Sequence, residues 1–141
     1  MEDDFAVASR ILDATKSIAV VGASDNPARD SHHVTAYLKA AGFDVYPVNP
    51  HAERVAGLRC VASLALLADE GRAIDTVVCF RRSEEIAPIA EAAIAIGAPH
   101  LWMQFGVVHQ DAARRARAAG MLVVMDRCIM VDHRRLLVER R

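Results

Sequence analysis

The chain has 141 residues, near the commonest size of a single domain and enough to bury a core without disulfides or a metal. At 53% hydrophobic and 25% charged residues with a formal net charge of -1, it reads as an ordinary globular protein. That balance excludes disorder and leaves no basic field to recruit nucleic acid, so any anion site must be built locally. Cys60, Cys79 and Cys128 are odd in number, far apart and without a C-x-x-C pair, which argues against a disulfide framework and against structural zinc. The opening Met1-Glu2-Asp3-Asp4 is acidic where a secretory leader is basic, and no apolar run has membrane-spanning length. The expectation is a cytoplasmic protein with no membrane contact.

Strand and helix patterns alternate along the chain. Phe5, Ala8 and Leu12 recur at helical spacing. Ser17 to Gly22 is a continuous apolar run closed by glycine, the pattern of a strand buried on both faces. Val34, Tyr37, Leu38 and Ala41 mark one helix face, with Gly42 at the C-terminal cap. Asp44 to Val48 reads as the second strand, although Pro47 is unusual in a central one. Leu58 to Cys60 reads as a short extended piece and Leu64 to Leu67 as a brief helix. Asp75 to Phe80 is the third long strand; Ser83 is positioned to cap the helix lined by Ile86, Ala90 and Ala93, which Gly97 ends. His100 to Gln104 is a strand, Ala112, Ala113, Ala116 and Ala119 face one side of the next helix, and Met121 to Met125 is the last strand. Asp132 to Leu137 suggests a final helical turn.

This alternation predicts an α/β, Rossmann-like, doubly wound fold: a mainly parallel five-stranded sheet with helices on both faces, as one domain over residues 1–141. Ligands of such sheets sit outside the C-terminal strand ends, where strand order reverses. The first such loop is Gly22-Ala23-Ser24-Asp25-Asn26-Pro27-Ala28-Arg29-Asp30-Ser31. Gly22 permits a tight turn and close approach, Ser31 is a candidate N-cap, and Ser24 and Arg29 can bond a phosphate. The same loop also reads as a plain polar connection. It has one glycine where the dinucleotide fingerprint G-x-G-x-x-G has three, and Val48-Asn49-Pro50 lacks the acid that holds the ribose. A P-loop is absent as well.

Ile18 to Ser24 and Pro47-Val48-Asn49-Pro50 resemble the CoA-binding domain family, small stand-alone relatives of the CoA-binding domain of the succinyl-CoA synthetase alpha subunit. The likeness continues through Phe80-Arg81-Arg82-Ser83, Leu101 to Val107 and Val124 to Cys128, from roughly Arg10 to Leu137. The resemblance implies coenzyme A as ligand. It implies phosphate contacts from Gly22, Ala23, Ser24, Arg29 and Ser31, with Val48, Asn49 and Pro50 flanking the nucleotide. Phe80, Arg81 and Arg82 would line the next strand end, and of the two arginines Arg81 is expected to face the ligand.

Gln104 at a strand end either meets ligand amides or satisfies backbone groups. Trp102 and Met103 read as core. The scattered histidines show no metal-ligand spacing. Cys128 beside Arg127, with His133 nearby, could form a thiolate, but a packed thiol and a structural Asp126–Arg127 tie are the simpler reading. The expectation is therefore a CoA or acyl-CoA binding module with no catalytic residue. The alternatives are an NAD(P)-linked oxidoreductase on the same fold and a CoA-thiol redox sensor using Cys128.

Overall fold

In the computed structural model, which describes residues 2–141, five parallel strands form one sheet: β1 (Ser17–Val21), β2 (Asp44–Val48), β5 (Thr76–Cys79), β6 (His100–Met103) and β7 (Leu122–Val124). Their order is β2-β1-β5-β6-β7. From β1 the chain first winds outward to β2, then returns to build the other half, so strand order reverses between β1 and β5. Pairing runs from Ser17↔Asp44 to Val21↔Val48 on one side of β1, and from Ile18↔Thr76 to Val21↔Cys79 on the other. Both registers finish at Val21, which aligns the strand ends into one rim.

Period-two alternation divides the core into two layers. Ala19, Val77, Leu101 and Val123 pack toward α3 (Leu64–Asp69), α4 (Ile86–Ala95) and α5 (Gln110–Ala118). Ile18, Val20, Val78, Trp102 and Val124 pack toward α1 (Asp4–Asp13), α2 (Asp30–Ala40) and α6 (Ile129–Glu139). Fully buried Trp102 keeps its indole N–H satisfied by the Arg127 carbonyl at 2.8 Å. Met103 is also fully buried. Pro47 is tolerated because β2 is the sheet edge; its carbonyl still accepts the Val61 N–H at 3.1 Å.

Four local expectations need correction. The extended piece at Leu58 is one arm of a hairpin, β3 (Arg54–Val55) with β4 (Leu58–Arg59), turned at Ala56 and Gly57, both with positive φ. The extended reading at Leu58 holds, but its partner Arg54–Val55 carries too little periodicity to be seen in sequence. Ser83 does not cap α4; it begins a 3-10 turn, Ser83–Glu85, and its hydroxyl accepts the Val108 N–H at 3.0 Å. The final helical turn is a full helix, α6, starting at Ile129 with Cys128 as its N-cap residue. The Asp126–Arg127 tie is absent. Arg127 instead forks onto Asp132 at 2.7 and 3.0 Å, while Asp126, at φ 57, accepts the Gly106 N–H at 2.7 Å.

At the opposite end of the sheet His100 is buried with Thr76, its Nδ1 3.0 Å from the threonine hydroxyl. Burial holds the His100 ring below its ordinary pKa, against an opposing pull from Asp75. Burial likewise lowers His133, which hydrogen-bonds Tyr37 at 2.7 Å. Both rings thus favour the neutral form when folded, and the unfolded chain binds more protons once pH falls below its histidine pKa of about 6.5. Stability should be level above about pH 7 and decline as pH falls from there toward 5, above the range where Asp13 and Asp75 contribute their own acid loss. Thermal melts of the natural chain and a His100→Gln, His133→Gln double variant check this: the variant should be flatter across that window, and equal slopes contradict it.

Candidate functional site at the strand-order reversal

Where β1 and β5 end, their following loops touch. Gly22 has φ +86, and a Cβ built there would lie 2.3 Å from the Phe80 carbonyl oxygen and 2.8 Å from Arg81 Cδ. Neither the conformation nor the space admits a side chain. The Gly22 N–H donates to the Val48 carbonyl at 2.9 Å, and Phe80 N–H to Val21 at 2.8 Å, so three strand ends are drawn together. Asn49 adds a second clasp: its Nδ2 donates to the Ala23 carbonyl and its Oδ1 accepts the His51 N–H, both at 2.8 Å. An asparagine in place of the dinucleotide acid therefore ties two loops and presents no carboxylate to a ribose.

Three adjoining cavities run along this rim. The first, ≈ 570 Å³, lies between the β2 loop and α4 and is lined by Val48, Asn49, Pro50, Pro88, Ile89 and Ala92, with Glu84 and Glu85 at its edge. The second, ≈ 560 Å³, is bounded by Gly22, Ser24, Ala28, Arg29, Asp30, Ser31, Phe80 and Arg81. Gly22 and Arg81 are common to both. The third, ≈ 830 Å³, adjoins the second at Asp30 and Phe80 and extends past Gln104 to Cys128 and α6.

The loop expectations divide on this geometry. Ser31 is not the N-cap: α2 begins at Asp30 with Arg29 in that role, and the buried Ser31 hydroxyl accepts the Ser24 N–H at 3.0 Å. The Ser24 hydroxyl accepts the Asn26 N–H at 3.1 Å, and Asn26 Oδ1 the Ala28 N–H at 3.0 Å. The loop is thus held by its own short side chains. Arg29 is left exposed, with no ion pair among the described residues. Ala23 is fully buried and borders none of the three cavities. Arg81 reaches two of them and pairs with Glu85 at 3.0 Å; Arg82 lines none of the three. Desolvation raises the Glu85 pKa, but the Arg81 charge and hydrogen bonds from both arginines outweigh it and hold the carboxyl below its usual range.

Gln104 is buried, and its Oε1 accepts the Ile129 N–H at 2.9 Å, which serves the α6 N-terminus. His133 is engaged through Nδ1 by Tyr37, and no hydrogen bond joins its ring to Cys128 among the described residues. Cys79 is sealed in the core, its thiol pushed up to about 12 by burial, and burial also raises Cys60. Among the described residues no three His, Cys, Asp or Glu side chains form a metal-binding group, and no helix is long and apolar enough to cross a membrane. The α4 stripe of Pro88, Ile89 and Ala92 escaped the sequence reading. It lies beside the core stripe of Ile86, Ala90 and Ala93, and such spacing does not reveal which flank meets a cavity.

A parallel sheet with paired helix layers and a crevice at the strand-order reversal defines the nucleotide-binding class of α/β proteins. A family model described as CoA binding domain matches residues 16–134. The protein YneT of Bacillus subtilis strain 168 is 41% identical over 123 residues, 87% of this chain and 89% of that protein. The solved structure of a hypothetical protein from Pyrococcus horikoshii OT3 superposes with a TM-score of 0.87 at 37% identity, covering 97% of this chain and 99% of that one. Acetate--CoA ligase [ADP-forming] II of Archaeoglobus fulgidus is 39% identical over 57 residues, only 8% of that larger enzyme. The chain belongs to the CoA-binding domain family.

Gly22→Ala tests the constraint at the rim. Left-handed strain plus overlap with the Phe80 carbonyl should cost roughly 2 kcal/mol or more. Urea unfolding measures it, with Gly97→Ala, where a Cβ meets nothing within 4 Å, as the control for strain alone. Equal losses in the two variants would contradict the close-approach account.

Proposed function

We propose that the chain is a non-catalytic coenzyme A-binding protein that holds its ligand across the C-terminal ends of the parallel strands. The observation that carries this reading is the run of three cavities along the rim, the first two meeting at Gly22 and Arg81 and the third adjoining the second at Asp30 and Phe80, in a member of the CoA-binding domain family. The donor chemistry fits. Phosphate groups would lie in the second cavity, against Arg29 and Arg81, where Asp30 is the opposing charge. Gly22 and Ser24 keep the backbone open there, and Ser31 fixes the Ser24 amide from behind. The flat apolar walls of the first cavity, Val48, Pro50 and Ile89, suit an adenine ring. Coenzyme A supplies a thiol that carries acyl groups, and the chain's residues bind and orient it.

Two features favour this reading over NAD(P) chemistry. The loop has one glycine, and Asn49 is consumed in bonds to Ala23 and His51. Catalysis at Cys128 would need a positioned base, and no side-chain base is hydrogen-bonded to that thiol among the described residues, His133 Nδ1 being engaged by Tyr37.

Coenzyme A should therefore raise the melting temperature while NAD and NADP do not. At a hundredfold its dissociation constant the ligand adds about 2.7 kcal/mol. Equal stabilisation by NAD would sink the assignment. Arg29→Ala should weaken coenzyme A about tenfold or more in a calorimetric titration, because a charge-assisted bond contributes roughly 1.5–3 kcal/mol. The variant's melting temperature should stay unchanged, since the side chain is exposed and unpaired; unaltered affinity returns Arg29 to a surface role.

A further inference from the structure

The third cavity has a construction of its own. Gln104 stands in its wall with only 3% of its surface exposed. The Ile129 N–H can only donate, so it fixes Oε1 toward α6 and turns the amide nitrogen away. That nitrogen has no hydrogen-bond partner among the described residues. Every fully buried side-chain nitrogen and oxygen among the described residues does have one, so Gln104 Nε2 keeps accessible surface, and of the three rim cavities Gln104 lines this one alone. Around it the wall is mainly apolar, with Val34, Phe80 and Met130, while Asp30, His33, Tyr37 and Arg134 supply its polar part. At the mouth Phe105 and Val131 are 79% and 55% exposed, large apolar side chains with nothing covering them.

A buried amide donor in the wall of a mainly apolar cavity, adjoining a cavity lined by arginines, matches a carbonyl followed by a hydrocarbon chain. We infer that the third cavity is an acyl subsite and that the preferred ligand is an acyl-CoA bearing a short aliphatic chain rather than free coenzyme A. This rests on the coenzyme A reading above and specifies the ligand of that same site. Gln104 Nε2 donates to the thioester carbonyl. Met130, Phe105 and Val131 cover the alkyl chain. Cys128 contributes bulk to the wall, and no bond is made or broken.

The test is a calorimetric series on the full chain: coenzyme A, then acetyl-, butyryl- and hexanoyl-CoA. Affinity should rise along the series, by about threefold to fourfold for each methylene that becomes buried. In a Phe105→Ser, Val131→Ser double variant, altered only at exposed side chains, that rise should disappear while affinity for free coenzyme A stays. Gln104→Glu keeps an oxygen for the Ile129 N–H and removes the donor, so acetyl-CoA should lose more affinity than coenzyme A does. A flat series in the natural chain, with coenzyme A still binding, overturns the acyl subsite and leaves the coenzyme A reading intact. Equal losses for both ligands in Gln104→Glu overturn the thioester contact. Failure of every member to bind overturns the coenzyme A reading itself.

Discussion

The contact between Gly22 and the Phe80 carbonyl governs the whole rim. Strands β1 and β5 are neighbours in the sheet, but their following loops must diverge, one toward α2 and the other toward α4. A side chain at residue 22 would force those loops apart at once. With hydrogen there, the backbones run together for one further residue before separating, and the crevice opens beyond that point with both walls already fixed. Asn49 secures the third wall by bonding Ala23, so the loops after β1, β2 and β5 form one hydrogen-bonded unit. Because that unit is preorganised, a ligand would not have to supply the ordering cost of three loops.

The unit also bears on the proposal that a chain with net charge -1 offers an anion site. Many arginines elsewhere on the chain are paired with a carboxylate, as Arg115 is with Glu91 and Arg140 with Asp13. Arg29 is not, because the short side chains around it are already engaged with loop backbone. On the proposed reading, local charge comes from a cation left without an ion pair beside open backbone, and no global excess is needed.

The layered sheet was legible in the sequence because its signals are long and redundant. Apolar runs such as Ser17 to Val21 leave no other reading, and Gly42, Gly97 and Gly120 mark helix ends through their positive φ. The rim was legible as a location, since strand ends in this fold class point to it. What escaped was side-chain direction. Ser31 and Gln104 were recognised as polar groups near the crevice, yet whether each hydroxyl or amide turns to ligand or to backbone depends on which N–H groups lie unpaired nearby. Those groups belong to Ser24 and Ile129, one loop residue and one helix start whose positions tertiary packing decides. The same holds for Arg127: sequence adjacency suggested Asp126 as its partner, but adjacent side chains diverge, and Asp132 on α6 comes round to meet it. Of hairpin β3–β4 only the second arm was legible, as an extended piece at Leu58; Arg54–Val55 was missed because two residues carry no period.

The most direct test of the account is an amide chemical-shift titration of the isotopically labelled chain with coenzyme A. The account predicts saturable changes confined to the rim: the Gly22, Ser24, Asp30 and Ser31 amides, Asn49, and the Phe80–Arg81 pair, with the His100 and Thr15 region at the opposite sheet end unmoved. Changes clustered at that opposite end, or no saturable change at the Gly22 to Ser31 loop, would contradict it.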